Sequence, residues 1–172
     1  MPERDLTVHP LTAYPGELGA ALWMLEDTRQ RTLEAVDGLA DDLIDLVPTG
    51  AHNAIGTILY HLAAIEADWL YADILVTDYP GWMAEVFPHD VREESGRLTP
   101  VAGESLDGHL SRLALVRGHL LEELRVFGEE GYRRPRRSES GTVTPEWVLH
   151  HLRQHEAEHR GQLQAARTLL ED

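Results

Sequence analysis

The stretch Trp147-Val-Leu-His-His-Leu-Arg-Gln-His155-Glu-Ala-Glu-His159-Arg-Gly-Gln162 reads as one helix. Thr144-Pro145-Glu146 marks its opening: a cap residue, a proline in the first turn, then an acid where the helix dipole favours one. Its apolar stripe runs through Val148, Leu152, His155, His159, Leu163, Ala166 and Leu170 at steps of four and three. Two imidazoles therefore interrupt a core-facing stripe, four residues apart on one helix face. A lone inward histidine is ordinarily a core residue satisfied by hydrogen bonds. A chain with ten histidines also yields some i,i+4 pairs by chance, and His151 with His155 forms another. Yet this spacing is also how a helix presents two nitrogen ligands to a divalent metal.

Three further long helical patterns lie upstream. The first runs from about Glu17 to Val36, with Leu18, Leu22, Leu25, Arg29, Leu33 and Val36 on one side and Gly38 placed to stop it. A short piece, Ala40 to Leu46, ends at Pro48. The second long pattern, about Ala54 to Leu75, has a wide apolar face from Ile55 to Leu70, with Asn53 as its cap. The third spans about Leu106 to Phe127 and ends near Gly128. Helices of this length with few alternating runs predict an all-α fold, a four-helix bundle. Val76 to Glu104, broken by Pro80, Gly81, Pro88, Gly96, Pro100 and Gly103, is too long for a tight turn. It predicts a crossover along the bundle between the second and third long helices, and hence up-down-down-up order. Arg125 to Val143 is a second long connection. Two such segments commonly form the rim of a pocket.

Composition narrows the chemistry. The 172 residues fit one domain. There is no cysteine, so disulfides, thiolate metal sites and a protein thiol nucleophile are all excluded. Metal ligands must then come from His, Asp or Glu. A net charge of −15 argues against nucleic acid, whose phosphates need a basic face. The one basic cluster, Arg133-Arg134-Pro135-Arg136-Arg137, reads as a solvated turn that an anionic ligand could use. Every basic residue is arginine, which suggests a high-GC, bacterial coding bias. Without an apolar leader or a long uncharged apolar run, the chain is expected to be cytoplasmic.

A third candidate ligand, His61, sits at or beside the buried face of the second long helix, in Asn53-Ala-Ile-Gly-Thr-Ile-Leu-Tyr-His61-Leu-Ala-Ala-Ile-Glu66-Ala-Asp-Trp69. Paired with the C-terminal His-x-x-x-His-Arg-Gly-Gln helix, this stretch resembles the DinB/YfiT-like family of metal-binding four-helix bundles. The segment Phe87-Pro-x-Asp90-x-Arg92, followed by Gly96-Arg97-Leu98, is similar to that family too. The resemblance covers roughly Leu18 to Leu170. It implies that one histidine of the second long helix and two of the last hold a divalent ion, at positions matched here by His61, His155 and His159. Three imidazoles with solvent in the open positions is the pattern of a catalytic site. Zinc and nickel both suit imidazole.

Two other readings of the same residues fail on missing partners. His155-Glu156-Ala-Glu-His159 spells the H-E-x-x-H of zinc peptidases, with Glu156 as the base. However, no histidine follows His159, and Glu171 lies on the same helix and cannot fold back. A di-iron carboxylate site needs Glu-x-x-His twice, and only Glu156 precedes a histidine by three. Glu156 is read either as an acid that orients a ligating histidine or as a surface residue. His151 is a ligand by spacing alone. His9, His89, His109, His119 and His150 read as surface or loop residues. Trp23, Trp69 and Trp147 fit core or rim packing, and Tyr60 is a candidate pocket residue. Gln162 and Arg160 either cap structure or touch ligand.

The resemblance further implies an enzyme that joins a low-molecular-weight thiol, bacillithiol or mycothiol, to an electrophile. The metal would favour the thiolate, so the protein would need no cysteine of its own. The Arg133–Arg137 run is a candidate partner for the thiol's carboxylate; no catalytic base is assigned. The alternatives are a metal-dependent hydrolase with metal-bound water as nucleophile and a non-catalytic metal-binding stress-response protein. A homodimer is expected from the resemblance.

Overall fold

The computed structural model describes residues 5–139 and 141–171. The chain is mostly helical: α1 (Gly16–Val36), α2 (Asp41–Ile44), α3 (Ile55–Asp68), α4 (Gly81–Val86), α5 (Leu106–Leu124), α6 (Glu129–Arg133) and α7 (Pro145–Glu171). Among the described residues the one sheet is a small antiparallel pair, β1 (Arg136–Ser138) with β2 (Gly141–Val143). Helix α3 does not stop at Asp68 but continues as a π-helical segment, Trp69–Leu75, ending at Val76 in the left-handed region (φ 53°). A π turn widens the helix by one residue per turn, which periodicity at 3.6 does not reveal.

The caps follow local chemistry. Thr144 Oγ1 accepts from Trp147 N at 3.1 Å to start α7, as expected. Ser105 does the same for α5 through Gly108 N at 3.1 Å. Asn53 does not cap α3; Ala54 stands in that place with no side-chain bond. Gly38 carries φ +70° just beyond α1, where a side chain would be strained.

Two large apolar clusters fill the interior, and a small third one joins Tyr60, Ala64 and Val101. One joins the end of α1 (Val36), the first half of α3 (Ile55 to Ala63), the first half of α5 (Leu113, Val116) and the second half of α7 (Leu163, Ala166). The other joins the start of α1 (Leu18 to Leu25), the π segment (Leu70, Ile74), the end of α5 (Leu120, Leu124) and the start of α7 (Val148 to Leu152).

A charged layer lies between the two clusters on every long helix: Arg29 of α1, Glu66 of α3, Arg117 of α5 and Glu156 of α7, all buried. Arg29 donates to Glu156 Oε1 and Glu66 Oε2, both at 2.7 Å, and to Leu113 O at 3.1 Å. Arg117 donates to both Glu66 oxygens at 2.7 and 2.9 Å, and to Glu26 at 2.5 Å. Burial alone would push the Glu66 carboxyl up, but Arg117 and Arg29 outweigh it and hold its pKa below the usual value. Two positive and two negative side chains close on one another with their bonds filled, which is the condition for burying charge.

The crossover between the π segment and α5 is pinned to the bundle. Tyr60 OH donates to His89 O at 2.8 Å and accepts from His89 N at 3.0 Å. Arg112 of α5 donates to Val86 O at 3.0 Å and to Glu104 at 2.6 Å, and its guanidinium lies over the Tyr60 ring. The Arg92↔Leu98 bridge closes the tip of the loop.

His109 corrects the sequence reading. It is wholly buried in α5 rather than at the surface, because α3 and α5 approach closely at Gly56. A Cβ on Gly56 would lie 2.8 Å from His109 Nε2 and from Ile44 Cγ2. His119 is likewise half-buried, stacked on Trp82 with centroids 4.5 Å apart.

Candidate metal centre

Glu156 and the two expected ligands of α7 point in different directions. Helical geometry puts His155 about 100° to one side of Glu156, and His159 about 60° to the same side. Glu156 fills the bundle axis, so the histidines lie on the shoulder of α7 that faces α3, where they are half-buried. The apolar stripe read from sequence is thus shifted: Val148, Leu152, Leu163 and Ala166 are buried as expected, and Glu156 takes the central place assigned to the imidazoles. His61 meets them from α3 and is buried.

The three rings form a compact group. Centroid separations are 5.0 Å for His61–His155, 4.8 Å for His61–His159 and 4.6 Å for His155–His159. Each offers a ring nitrogen within 4.8 Å of the others, a grouping that could hold a metal ion. His61 Nε2 and His155 Nε2 are 3.1 Å apart. Two nitrogens at about 2.1 Å from one ion are separated by roughly 3.0 Å in octahedral and roughly 3.4 Å in tetrahedral coordination. The contact fits between these values. The whole group spans more, so gripping an ion requires one ring to turn inward.

Hydrogen bonding and electrostatics agree with a ligand role. Gln162 Oε1 accepts from His159 Nδ1 at 3.1 Å, leaving the Nε2 lone pair of His159 free. His61 Nδ1 is buried with no partner, a condition shared among the described side chains only with His109 Nε2. Burial, with the neighbouring His159 and His155, lowers the pKa of His61 to about 3. Burial, His159 and His151 lower that of His155 to about 4. Burial also lowers His159, against the Gln162 bond. All three rings are therefore neutral at physiological pH, the form that binds metal.

The remaining sequence candidates find other places. His151 does not join the group; it stacks on Trp147 (centroids 5.1 Å, planes 4° apart) and packs on Trp69 at 4.8 Å. Arg160 reaches Thr28 O at 3.5 Å. Within the basic run, Arg133 pairs with Glu17 and Arg134 with Glu130, while Arg136 bonds Gly131 O and lies over Phe127. Sequence reading missed Glu66 and Arg117 as a charged pair. The signals were present: Arg29 in the apolar stripe of the first helix, and Arg117 in the gap between Leu113 and Leu120.

A cleft of about 680 Å³ opens beside the α3 turn that follows His61. Ala64, Ile65 and Asp68 form one wall, and Met83, Phe87 and Arg92 of the crossover line the other. Asp68 is engaged by Tyr79 OH at 2.5 Å. A second cleft, about 640 Å³, lies between α1 and the start of α7, lined by Met24, Tyr132, His150 and Arg153; the three histidines themselves line neither cleft.

The model of the DinB superfamily matches residues 24–163. The chain belongs to the DinB superfamily. The match takes in all of α3 and α5, parts of α1 and α7, and all three histidines. The fold of this DinB-superfamily chain is similar to the crystal structure of a conserved protein from Enterococcus faecalis, with TM-score 0.69 and 17% identity over 91% of this chain and 98% of that one. No curated protein matches it. Among the described residues, no helix is long and apolar enough to cross a membrane.

Proposed function

We propose that this DinB-superfamily protein is a metal-dependent S-transferase that joins a low-molecular-weight thiol, such as bacillithiol or mycothiol, to a small electrophile. The observation that carries the reading is the convergence of His61, His155 and His159, neutral and with His61 and His155 nitrogens 3.1 Å apart, near an open cleft. A divalent ion held there, zinc or nickel, supplies charge that favours the thiolate of a bound thiol. The reaction is a displacement: a carbon–sulfur bond forms, the bond to the leaving group breaks, and the thiol proton passes to solvent. The chain's own part is to hold and orient. Gln162 fixes the His159 tautomer, the Arg29–Glu66–Arg117–Glu156 layer sets α3 against α7, and Tyr60 holds the crossover over the cleft. The cysteine-free sequence offers no protein thiol to compete for the electrophile.

The placement of the two apolar clusters supports an up-down-down-up bundle. Each cluster takes opposite halves of α1 and α3, like halves of α3 and α5, and like halves of α1 and α7, which fits a crossover that runs the bundle's length. Assembly as a cytoplasmic homodimer belongs to the same proposal, checked by light scattering at micromolar concentration.

The function is tested by incubating untagged, metal-loaded protein with a chlorinated aromatic electrophile, with and without thiol. Turnover that requires thiol is the expected result. Thiol-independent hydrolysis would favour the hydrolase reading, and no turnover with any thiol would leave a metal-binding protein without this activity.

A further inference from the structure

Three neutral imidazoles bring no negative charge to a divalent ion, and the histidine grouping contains no carboxylate. Arg92 is a charged side chain on the cleft wall; Ala64, Ile65 and Asp68 of the same cleft lie three, four and seven residues after His61 on one face of α3, and Arg92 also disfavours protonation of all three rings. Arg92 is exposed, and its guanidinium makes one internal hydrogen bond, from Nη1 to Gly96 O at 2.8 Å. The backbone that carries it is held by the Arg92↔Leu98 bridge, by Glu93 N to Arg97 O at 2.9 Å and by Thr99 N to Val91 O at 3.3 Å. Leu98 is buried beneath the loop, and Tyr60 clamps the loop at His89. A fixed cation thus stands on one wall of the cleft, with Ile65, Met83 and Phe87 supplying apolar surface nearby. Of the acids on that cleft, Asp68 is occupied by Tyr79 and Asp90 is exposed; Glu158, which acts on His159, is exposed too.

We infer that the cleft selects ligands bearing a carboxylate, which pairs with Arg92 while the reactive sulfur lies toward the three histidines and the apolar body rests on Phe87 and Met83. The sulfur's position rests on the transferase reading above; the carboxylate's position does not. Arginine suits the role because its planar fork meets a carboxylate through two parallel bonds. Arg92 is then a specificity-determining residue; in the Arg133–Arg137 run, Arg133, Arg134 and Arg136 already have partners within the fold.

The test uses cobalt-loaded protein, whose sulfur-to-cobalt absorption reports thiol binding, titrated with mercaptoacetate and with neutral 2-mercaptoethanol. Calorimetry with benzoate, which has no thiol, provides a separate arm. Wild type is expected to prefer mercaptoacetate by at least about tenfold, the scale of one charge-assisted bond. Arg92→Gln is expected to abolish that preference and the benzoate heat while leaving 2-mercaptoethanol unchanged; Arg92→Lys retains part of both. Circular dichroism checks that the variants are folded. An unchanged mercaptoacetate preference in Arg92→Gln overturns the inference and leaves the transferase reading standing. If no thiol yields a sulfur band, the transferase reading fails, and the benzoate arm alone decides: Arg92-dependent heat supports the carboxylate site, and Arg92-independent or absent heat overturns it.

Discussion

Two groups of buried or half-buried polar side chains lie side by side in this protein, and α7 contributes neighbouring residues to both. Glu156 belongs to the charged layer, where Arg29 meets two carboxylates and Arg117 three, and each also reaches a backbone carbonyl. His155 and His159 belong to the imidazole group, where nitrogen faces nitrogen and the Nδ1 of His61 has no partner. The first group is complete with what the chain supplies. The second is not, and burying incomplete polar groups costs stability. That contrast separates a structural polar layer from a binding site more sharply than burial or charge does.

Breaking the complete group should have the largest effect on stability. Arg117→Ala or Glu156→Ala strands an opposite charge between two apolar clusters, and a loss of about 3–5 kcal/mol is expected. Thermal denaturation would register it as a drop of roughly ten degrees. A loss below about 1 kcal/mol would mean that water already reaches the layer.

Substitutions in the incomplete group should leave the fold and remove the ligand. His61→Ala, His155→Ala and His159→Ala are each expected to abolish stoichiometric metal and thiol transfer, with helical circular dichroism retained because the two cores are aliphatic. His151→Ala should keep metal and activity, since that ring packs on Trp69 and Trp147. Loss of metal in the His151 variant, with retention in the His159 variant, would reverse the ligand assignment.

The two groups should also separate in pH. Histidines held near 3 and 4 in the native state but near 6.5 when unfolded bind fewer protons folded than unfolded. Metal-free protein should therefore lose stability as pH falls from 6.5 toward 3, by up to about 2 kcal/mol for each such histidine between pH 7 and 5. Bound metal should be released over the same fall. Glu66, whose pKa is lowered from 4.5, contributes stability that is lost only below that value. Denaturant midpoints of wild type and His61→Ala at pH 7 and 5 check this, and equal slopes would refute it.

The smallest effect concerns the loop that overhangs the cleft. Tyr60→Phe removes two hydrogen bonds to the His89 backbone, at an expected cost of about 1–2 kcal/mol. Faster proteolytic nicking between Phe87 and Arg97 would be its measurable sign.

Much of this was legible in sequence, for reasons that particular residues make clear. The four long helices follow from apolar spacing and from Thr144, Pro145 and Gly38, which act locally. The three histidines followed from two helical motifs and a family resemblance. Three things were hidden because they depend on tertiary neighbours. Glu156 read as an ambiguous acid because its partners Arg29 and Arg117 lie on distant helices. His109 read as a surface residue because the space it fills is made by the missing side chain of Gly56. The π segment at Trp69–Leu75 leaves no periodic trace over seven residues.

The most direct test of the central claim is X-ray absorption on untagged protein loaded with one equivalent of zinc or nickel. The claim expects three imidazole nitrogens at about 2.0–2.2 Å, with multiple scattering from the rings and light-atom ligands completing the shell. On a chain of net charge −15, adventitious binding to surface acids is the rival. A shell of carboxylate and solvent oxygens without imidazole scattering would contradict the claim.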